Sequence, residues 1–242
     1  MTPLRGDWIV TNARPDGLVS WIVGAGIQAY QRLEGYPSWR AKHSVLYIGR
    51  LDKEFVSRGT SHGLLIHEAR RKCWSMERYA DYLNTHSDWC LSMTTPCGRW
   101  ERWAHIQTQR HAVYQPRFVP VDRRQEFNVA LHSAAWRYIS RRYDKGQLID
   151  IARNAAERVG PRWYNRLFDA SPWRTVCSGA CAESTRRALT QAGCPKMAAD
   201  LYSGLADERV PPAEPSRRVP PMNKSRLVMP WYERTGGNDL TL

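Results

Sequence analysis

Three residues in this sequence have the chemical types that nucleophilic acyl transfer requires. Apolar spacing predicts a helix over about 180–192 with Cys181 in its first turn, where unpaired N–H groups and the helix dipole stabilise a thiolate. His43 opens the predicted strand 43–49 and would accept the thiol proton. Glu68 closes a later predicted strand and would hold the imidazole in one tautomer. A nucleophile, a base and an orienting acid form such a site whatever their chain order, so we predict a cysteine nucleophile.

Two of these assignments have direct competitors. Cys177 lies four residues before Cys181 and is the alternative nucleophile, although it lacks the glutamate that follows Cys181 two residues later. His67 competes with Glu68 for the third role, because adjacent strand residues face opposite sides. The spacing of the two cysteines also suits one helical face, but without a C-x-x-C pair it is a weak zinc signal. No metal and no cofactor is therefore expected.

The elements that must position these residues follow from hydrophobic periodicity and turn residues. Strands are predicted at 7–12, 43–49, 55–57, 63–69 and 89–93. Helices are predicted at 18–33, 76–83, 128–143, 147–159 and 180–192. The polar, Arg-rich stretch 94–125 has no clean period and is interpreted as a loop or insertion. Strands early in the chain and helices late indicate one α+β domain.

Composition and charge indicate the kind of partner. The 242 residues include 11 Trp and 11 Tyr, enough apolar material for a real core. Lys and Arg number 36 against 23 acidic residues, a formal charge of +13, so nucleic acid, an anionic cell-wall polymer or an acidic membrane surface are the partners to consider. No helix-turn-helix, zinc-finger or RNP-like signature supports sequence-specific nucleic-acid binding.

The two ends of the chain differ from its middle. The first ten residues lack the long apolar stretch of a secretory signal, and no window has 18 uninterrupted apolar residues. We therefore expect no transmembrane segment and a cytoplasmic or virion-associated protein. From about residue 205 prolines alternate with arginines. The sequence predicts a domain over 1–204 and an extended basic segment over 205–242 that wraps the domain or contacts a partner.

Five segments together resemble the circularly permuted NlpC-like (YiiX-like) papain-fold cysteine hydrolases. The segment that begins at Cys181 resembles that group's "CSELVxxALxxAG" helix in residue types and spacing over thirteen positions. The others resemble its "GD", "SHVGIYIG", "VIEA" and "YD" segments, and they are 5–10, 43–49, 66–69 and 142–144. The histidine strand precedes the cysteine helix, as the permuted arrangement requires.

The resemblance implies a papain-like α+β fold, in which a cysteine-bearing helix packs on an antiparallel sheet that carries the histidine. It implies an acyl-cysteine intermediate, with the backbone N–H of Cys181 as an oxyanion donor. The expected function is a hydrolase that cleaves an amide or ester bond, in bacterial cell-wall peptide, in a bacterial or bacteriophage protein. The alternative is a catalytically degenerate papain-like domain that serves as a structural or binding module, for example in a phage particle, through contact with anionic polymer or nucleic acid.

Overall fold

A computed structural model of the chain shows an antiparallel sheet packed against helices. The structure describes residues 3–12, 18–86, 88–93, 97–115, 119–141, 177–196, 213, 215–218 and 221–222. The α+β class is confirmed. The helix predicted over 147–159 and the segment 142–144 lie outside the described residues.

Five short strands form one sheet in the order β4-β3-β2-β1-β5, and each neighbouring pair is antiparallel. The strands are β1 (Trp8–Thr11), β2 (His43–Gly49), β3 (Trp89–Met93), β4 (Gly98–Arg102) and β5 (His111–Tyr114). The strands predicted at 7–12, 43–49 and 89–93 are confirmed. The β2 strand is rich in β-branched and aromatic residues, which suit a pleated, buried surface.

The described helices surround this sheet. They are α1 (Leu18–Leu33), α2 (Lys53–Ser61), α3 (Ile66–Arg71), α4 (Met76–Thr85), α5 (Trp103–Gln107), α6 (Arg124–Trp136), α7 (Cys177–Gln191) and α8 (Pro215–Arg218). Helix α6 begins four residues earlier than predicted and ends at Trp136 instead of 143. None of the described helices is long and apolar enough to cross a membrane.

The two strands predicted at 55–57 and 63–69 are wrong. The first lies inside α2, because the Asp52 side chain accepts a hydrogen bond from the Glu54 N–H and starts a helix there. The second is a turn followed by α3, so Glu68 is a helical residue. Short apolar runs do not distinguish a strand from a buried helix by periodicity alone, which is why both predictions failed.

The prediction of a loop or insertion at 94–125 is also wrong. This stretch supplies β4, α5 and β5, two strands of the sheet and the helix between them. In β4, Gly98 and Trp100 are buried and alternate with the more exposed Arg99 and Glu101, which is the period of a strand. Elements of four or five residues are too short to show a clean period in a window of ordinary length.

The sheet separates two apolar layers, because successive side chains of a strand point to opposite faces. One layer is formed with α6, α7 and other helices, and its strand residues include Trp8, Val10, Leu46, Ile48 and Leu91. The other layer is covered by α5, and its strand residues are Ile9, Val45, Tyr47, Cys90 and Val113. Each face of the sheet therefore has its own set of neighbours.

The described residues of the segment 205–242 lie against the domain. The Ala213 N–H donates to Gln31 Oε1 over 2.8 Å, and Ser216 Oγ accepts the Ser38 N–H over 3.1 Å. The Met222 N–H donates to the Val113 carbonyl of β5 over 2.7 Å. Strand β5 is at the edge of the sheet and has β1 as its only strand neighbour among the described residues. Met222 therefore lies at the outer edge of β5.

Candidate active site

Cys181 is placed differently from its prediction. Helix α7 begins at Cys177, three residues before the predicted start, so Cys181 is its fifth residue. The side chain of Cys181 is fully buried in the main apolar layer. Because only the first four N–H groups of a helix lack an intrahelical partner, the Cys181 N–H lies within the helical hydrogen-bond ladder. The first-turn position and the oxyanion role predicted for Cys181 are therefore wrong.

Cys177, the competing nucleophile, is the first residue of α7 that the structure describes. Its side chain lies outside the described part of the structure. Cys177 is nearer than Cys181 to the N-terminal end of α7, and the N-terminal end of a helix is where unpaired N–H groups and the helix dipole stabilise a thiolate.

His43 is the first residue of β2 and is partly buried. Its Nε2 atom lies 3.0 Å from Ser92 Oγ on the neighbouring strand β3. Strand alternation places His43 on the same face as Val45 and Tyr47, whereas Cys181 packs in the layer on the opposite face. The structure does not bring His43 and Cys181 together.

Glu68 is buried on α3 and does not lie on a strand beside His43. Its carboxylate accepts a hydrogen bond from the Arg71 guanidinium, Nη2 to Oε2, over 3.1 Å. The side chain of His67, the competing third residue, lies outside the described part. The polar group beside His43 is the Ser92 hydroxyl, which the sequence analysis missed. A single serine within an apolar strand carries no signal until the pairing of β3 with β2 is known.

Helix α7 is oriented with its N-terminal end toward the end of the sheet at which β2 begins. In the middle of the described helix, Thr185 Oγ1 accepts a hydrogen bond from Trp8 Nε1 over 3.3 Å. The Cys181 thiol lies nearer the start of α7 and close to Tyr138. Burial and the charge of Glu183, with a smaller effect of Cys181, raise the pKa of the Tyr138 phenol to about 12.

A chain of contacts then connects Tyr138 to the histidine. Tyr138 lies directly against Gly98 at the beginning of β4. Gly98 pairs with Met93, which follows Ser92, the partner of His43. Cys177 is one helical turn, about 6 Å, further toward the N-terminal end than Cys181. The backbone of Cys177 and the start of β2 therefore belong to the same end of the molecule.

Asp7, at the opposite end of the sheet, ties a turn: its Oδ2 atom accepts the Leu4 N–H over 2.8 Å. Burial raises the pKa of this carboxyl from 3.8 to about 6, against the opposing effect of the hydrogen bond from Leu4. Asp7 lines a cavity of about 250 Å³ together with Arg124 and Thr185. A buried carboxyl with such a pKa changes its charge near neutral pH.

The raised pKa of Asp7 predicts a specific pH dependence of stability. Between pH 3.8 and about 6 the unfolded chain releases this proton while the folded protein keeps it. The contribution of Asp7 to the free energy of unfolding therefore falls as pH rises through this window, by about 3 kcal/mol. We expect Asp7→Asn to remove this fall and to be more stable than the parent protein at pH 8. Urea unfolding followed by tryptophan fluorescence tests this, and equal pH slopes in both proteins would contradict it.

Among the described residues, no group of three or more His, Cys, Asp or Glu side chains is arranged to hold a metal ion. Cys73, Cys90, Cys97, Cys181 and Cys194 are described as thiols that form no disulfide. No protein-family model, curated protein or solved structure matches this chain. The candidate site is accordingly defined by its own geometry.

Proposed function

We propose that the protein is a cysteine hydrolase in which Cys177 is the nucleophile, His43 the general base and Ser92 the residue that orients the imidazole. The proposal is supported by the direction of α7, whose N-terminal end, described from Cys177 onward, points toward the end of the sheet at which β2 begins with His43. In this proposal Ser92 holds the imidazole through the 3.0 Å contact between His43 Nε2 and Ser92 Oγ.

His43 serves this role because it is the terminal residue of its strand. The rim of a sheet is accessible from both faces, so an imidazole at the end of β2 can meet a thiol at the end of a helix that covers one face. Interior positions of β2 such as Val45 lack this freedom, since neighbouring strands and both apolar layers enclose them. The proposal thus uses a residue at the N-terminal end of α7, Cys177, and the first residue of β2, His43.

The reaction follows from these groups. His43 takes the thiol proton, and the thiolate of Cys177 adds to the carbonyl carbon of an amide or ester. The unpaired N–H groups in the first turn of α7 stabilise the oxyanion of the tetrahedral intermediate. The protonated imidazole then gives its proton to the departing amine or alcohol, which leaves an acyl-cysteine. Water, activated by His43, hydrolyses that thioester and restores the thiol.

The substrate class rests on the family resemblance of the sequence. The segments 43–49 and 181–193 are similar to those of enzymes that act on acyl groups, and the proposed substrate is an amide bond in bacterial cell-wall peptide. The basic character of the chain, +13 overall, suits a protein that works against an anionic polymer such as the wall.

Thiol alkylation at different pH values tests the nucleophile. We expect iodoacetamide to label Cys177 fastest, with an apparent pKa well below the ~8.5 of a free thiol, because the helix end and the imidazole stabilise the thiolate. Exposed Cys73 is the reference, and buried Cys181 should be labelled slowest. Mass spectrometry of peptides gives the rate at each site.

A second protein, His43→Ala, is the matched control for the dyad. Without the imidazole, the apparent pKa of Cys177 should rise toward that of Cys73 while the labelling of Cys73 itself stays constant. If Cys177 in the parent protein reacts no faster than Cys73, the hydrolase proposal fails. That result would favour the alternative, a catalytically degenerate domain used as a binding module.

A further inference from the structure

A second cavity, of about 450 Å³, lies at the end of the sheet opposite to the proposed catalytic residues. It is formed where β2 ends, where α2 begins and where α6 passes. Because β2 has seven residues, the cavity lies about 20 Å from His43 along the strand. It shares Arg5 with the smaller cavity that Asp7 lines.

Three cationic side chains line this cavity: Arg5, Arg50 and Lys53. None of the ion pairs found among the described residues includes any of the three. Arg5 donates from Nη2 to the Arg50 carbonyl over 3.2 Å, which holds its guanidinium at the cavity. The one carboxylate in the lining, Asp52, already accepts the Glu54 N–H over 2.9 Å as the cap of α2. A carboxylate that accepts a hydrogen bond keeps its charge, so the described lining has three cations against one anion and is positive overall.

His132 adds a buried acceptor to these donors. Its side chain is nine-tenths or more buried, with 4% of the residue exposed, and it lines the same cavity. Burial, with the charge of Arg5, lowers the pKa of His132 to about 4, so the imidazole is neutral at physiological pH. One ring nitrogen bonds to the Arg50 backbone, and Nε2 is buried without a protein partner. A buried acceptor without a donor is costly, so a ligand that supplies a donor gains affinity here.

The remaining wall is apolar. Phe55 and Val129 face the cavity, and the Phe55 ring contacts the imidazole of His132 edge to face at 6.0 Å between centroids. Val129 is 59% exposed although it is a large apolar residue. An apolar wall beside a cationic one suits a ligand that has an anionic head and a carbon skeleton.

We propose that this cavity binds a phosphoryl group, as inorganic phosphate or as the head of a small phosphomonoester. The anionic oxygens would accept hydrogen bonds from Arg5, Arg50 and Lys53. A hydroxyl hydrogen of the ligand, from P–OH or from an adjacent alcohol, would be donated to Nε2 of His132. The carbon skeleton of a phosphomonoester would contact Phe55 and Val129. The site is independent of the proposed hydrolysis, since it shares no residue with Cys177, His43 or Ser92.

Sulfate and phosphate distinguish the role of the acceptor. Both are tetrahedral anions, but sulfate carries no hydrogen at neutral pH, whereas phosphate retains at least one. Isothermal titration calorimetry of the full chain near pH 7 and at constant ionic strength should show that phosphate binds about 10-fold more tightly than sulfate. This is the difference in affinity expected from one hydrogen bond to a buried acceptor. His132→Leu should abolish this preference.

The cationic wall is tested separately through exposed residues that tolerate truncation. Lys53→Ala should weaken the binding of both anions about 10-fold, since a charge-assisted hydrogen bond is lost. Arg78→Ala, on exposed α4 away from the cavity, is the matched control and should leave both affinities unchanged. A further titration uses glycerol phosphate. Tighter binding than that of phosphate identifies a phosphomonoester, and equal or weaker binding identifies free phosphate.

Two results would overturn the proposal. One is the absence of phosphate binding in the parent protein at millimolar concentration. The other is an equal loss of affinity in Lys53→Ala and Arg78→Ala, which would indicate an unspecific effect of net charge. Neither result depends on thiol reactivity, so failure here and failure of the proposed hydrolysis are distinguishable.

Discussion

Replacing Cys177 by alanine is expected to lower the rate of peptide-bond cleavage by about 10⁴-fold or more, the loss that accompanies removal of a catalytic nucleophile. The thiolate forms the covalent bond in the first step, and no neighbouring group can substitute for it. The measurement is the initial rate at which new amino groups appear in purified bacterial peptidoglycan.

The matched control for this variant is Cys181→Ala. Cys181 lies one turn further along α7 and is fully buried, so its truncation should reduce stability by about 1 kcal/mol and leave turnover close to that of the parent protein. The opposite pattern, with Cys181→Ala inactive but folded and Cys177→Ala active, would restore Cys181 as the nucleophile. Circular dichroism of both variants separates loss of function from loss of fold.

The second large effect is expected for Gly98→Ala, which should destabilise the protein by about 4 kcal/mol. A Cβ atom at this position would lie 1.9 Å from the Tyr138 carbonyl oxygen and 2.7 Å from Met93 Sδ. The obstacle is backbone, so it cannot move aside as a flexible side chain would. Relief of the overlap would break the hydrogen bonds from Gly98 N–H to the Arg141 carbonyl and from Ser140 N–H to the Gly98 carbonyl, both 2.9 Å.

Urea unfolding measures this loss, and Gly24→Ala is its control. Gly24 lies within α1, and the nearest atom to an added Cβ is Lys42 Cδ at 3.1 Å, near the middle of a flexible side chain. Alanine is favoured over glycine inside a helix by up to about 1 kcal/mol, so this variant should be as stable as the parent protein or more stable. Equal destabilisation by both substitutions would contradict the argument that the Tyr138 carbonyl is the obstacle.

The sequence predicted the centre of the sheet well. Strand β2 has the β-branched and aromatic residues of a buried strand over seven positions, and β1 and β3 are similarly marked. Strands β4 and β5 escaped detection because each is short and lies within the Arg-rich stretch 94–125. Periodicity needs several repeats before it stands out from composition.

The candidate site was harder to predict. His43 lies at the start of its strand as predicted, but α7 extends at least three residues further toward the N-terminus than predicted, so Cys181 is not in its first turn. Hydrophobic spacing defines which face of a helix is buried, and it defines the first residue poorly. Glu68 was misplaced because its short apolar segment was assigned to a strand.

The basic cavity had no local signature at all. Arg5, Arg50, Lys53 and His132 are separated by up to 127 positions and meet because β1, β2, α2 and α6 converge at one end of the sheet. In a chain with 36 basic residues, no single arginine is conspicuous. Such a site is defined by tertiary structure, and its acceptor, His132, is recognisable only once its burial is known.

The hydrogen bond from Met222 to Val113 gives the C-terminal segment a protective role. An edge strand with unsatisfied N–H and C=O groups is a template on which strands of other molecules assemble. Here the edge beside β5 is occupied by the chain's own backbone at Met222. One carbonyl of this edge is thereby satisfied within the chain, and we expect a proteolytic cut upstream of Met222 to expose the edge and to promote aggregation.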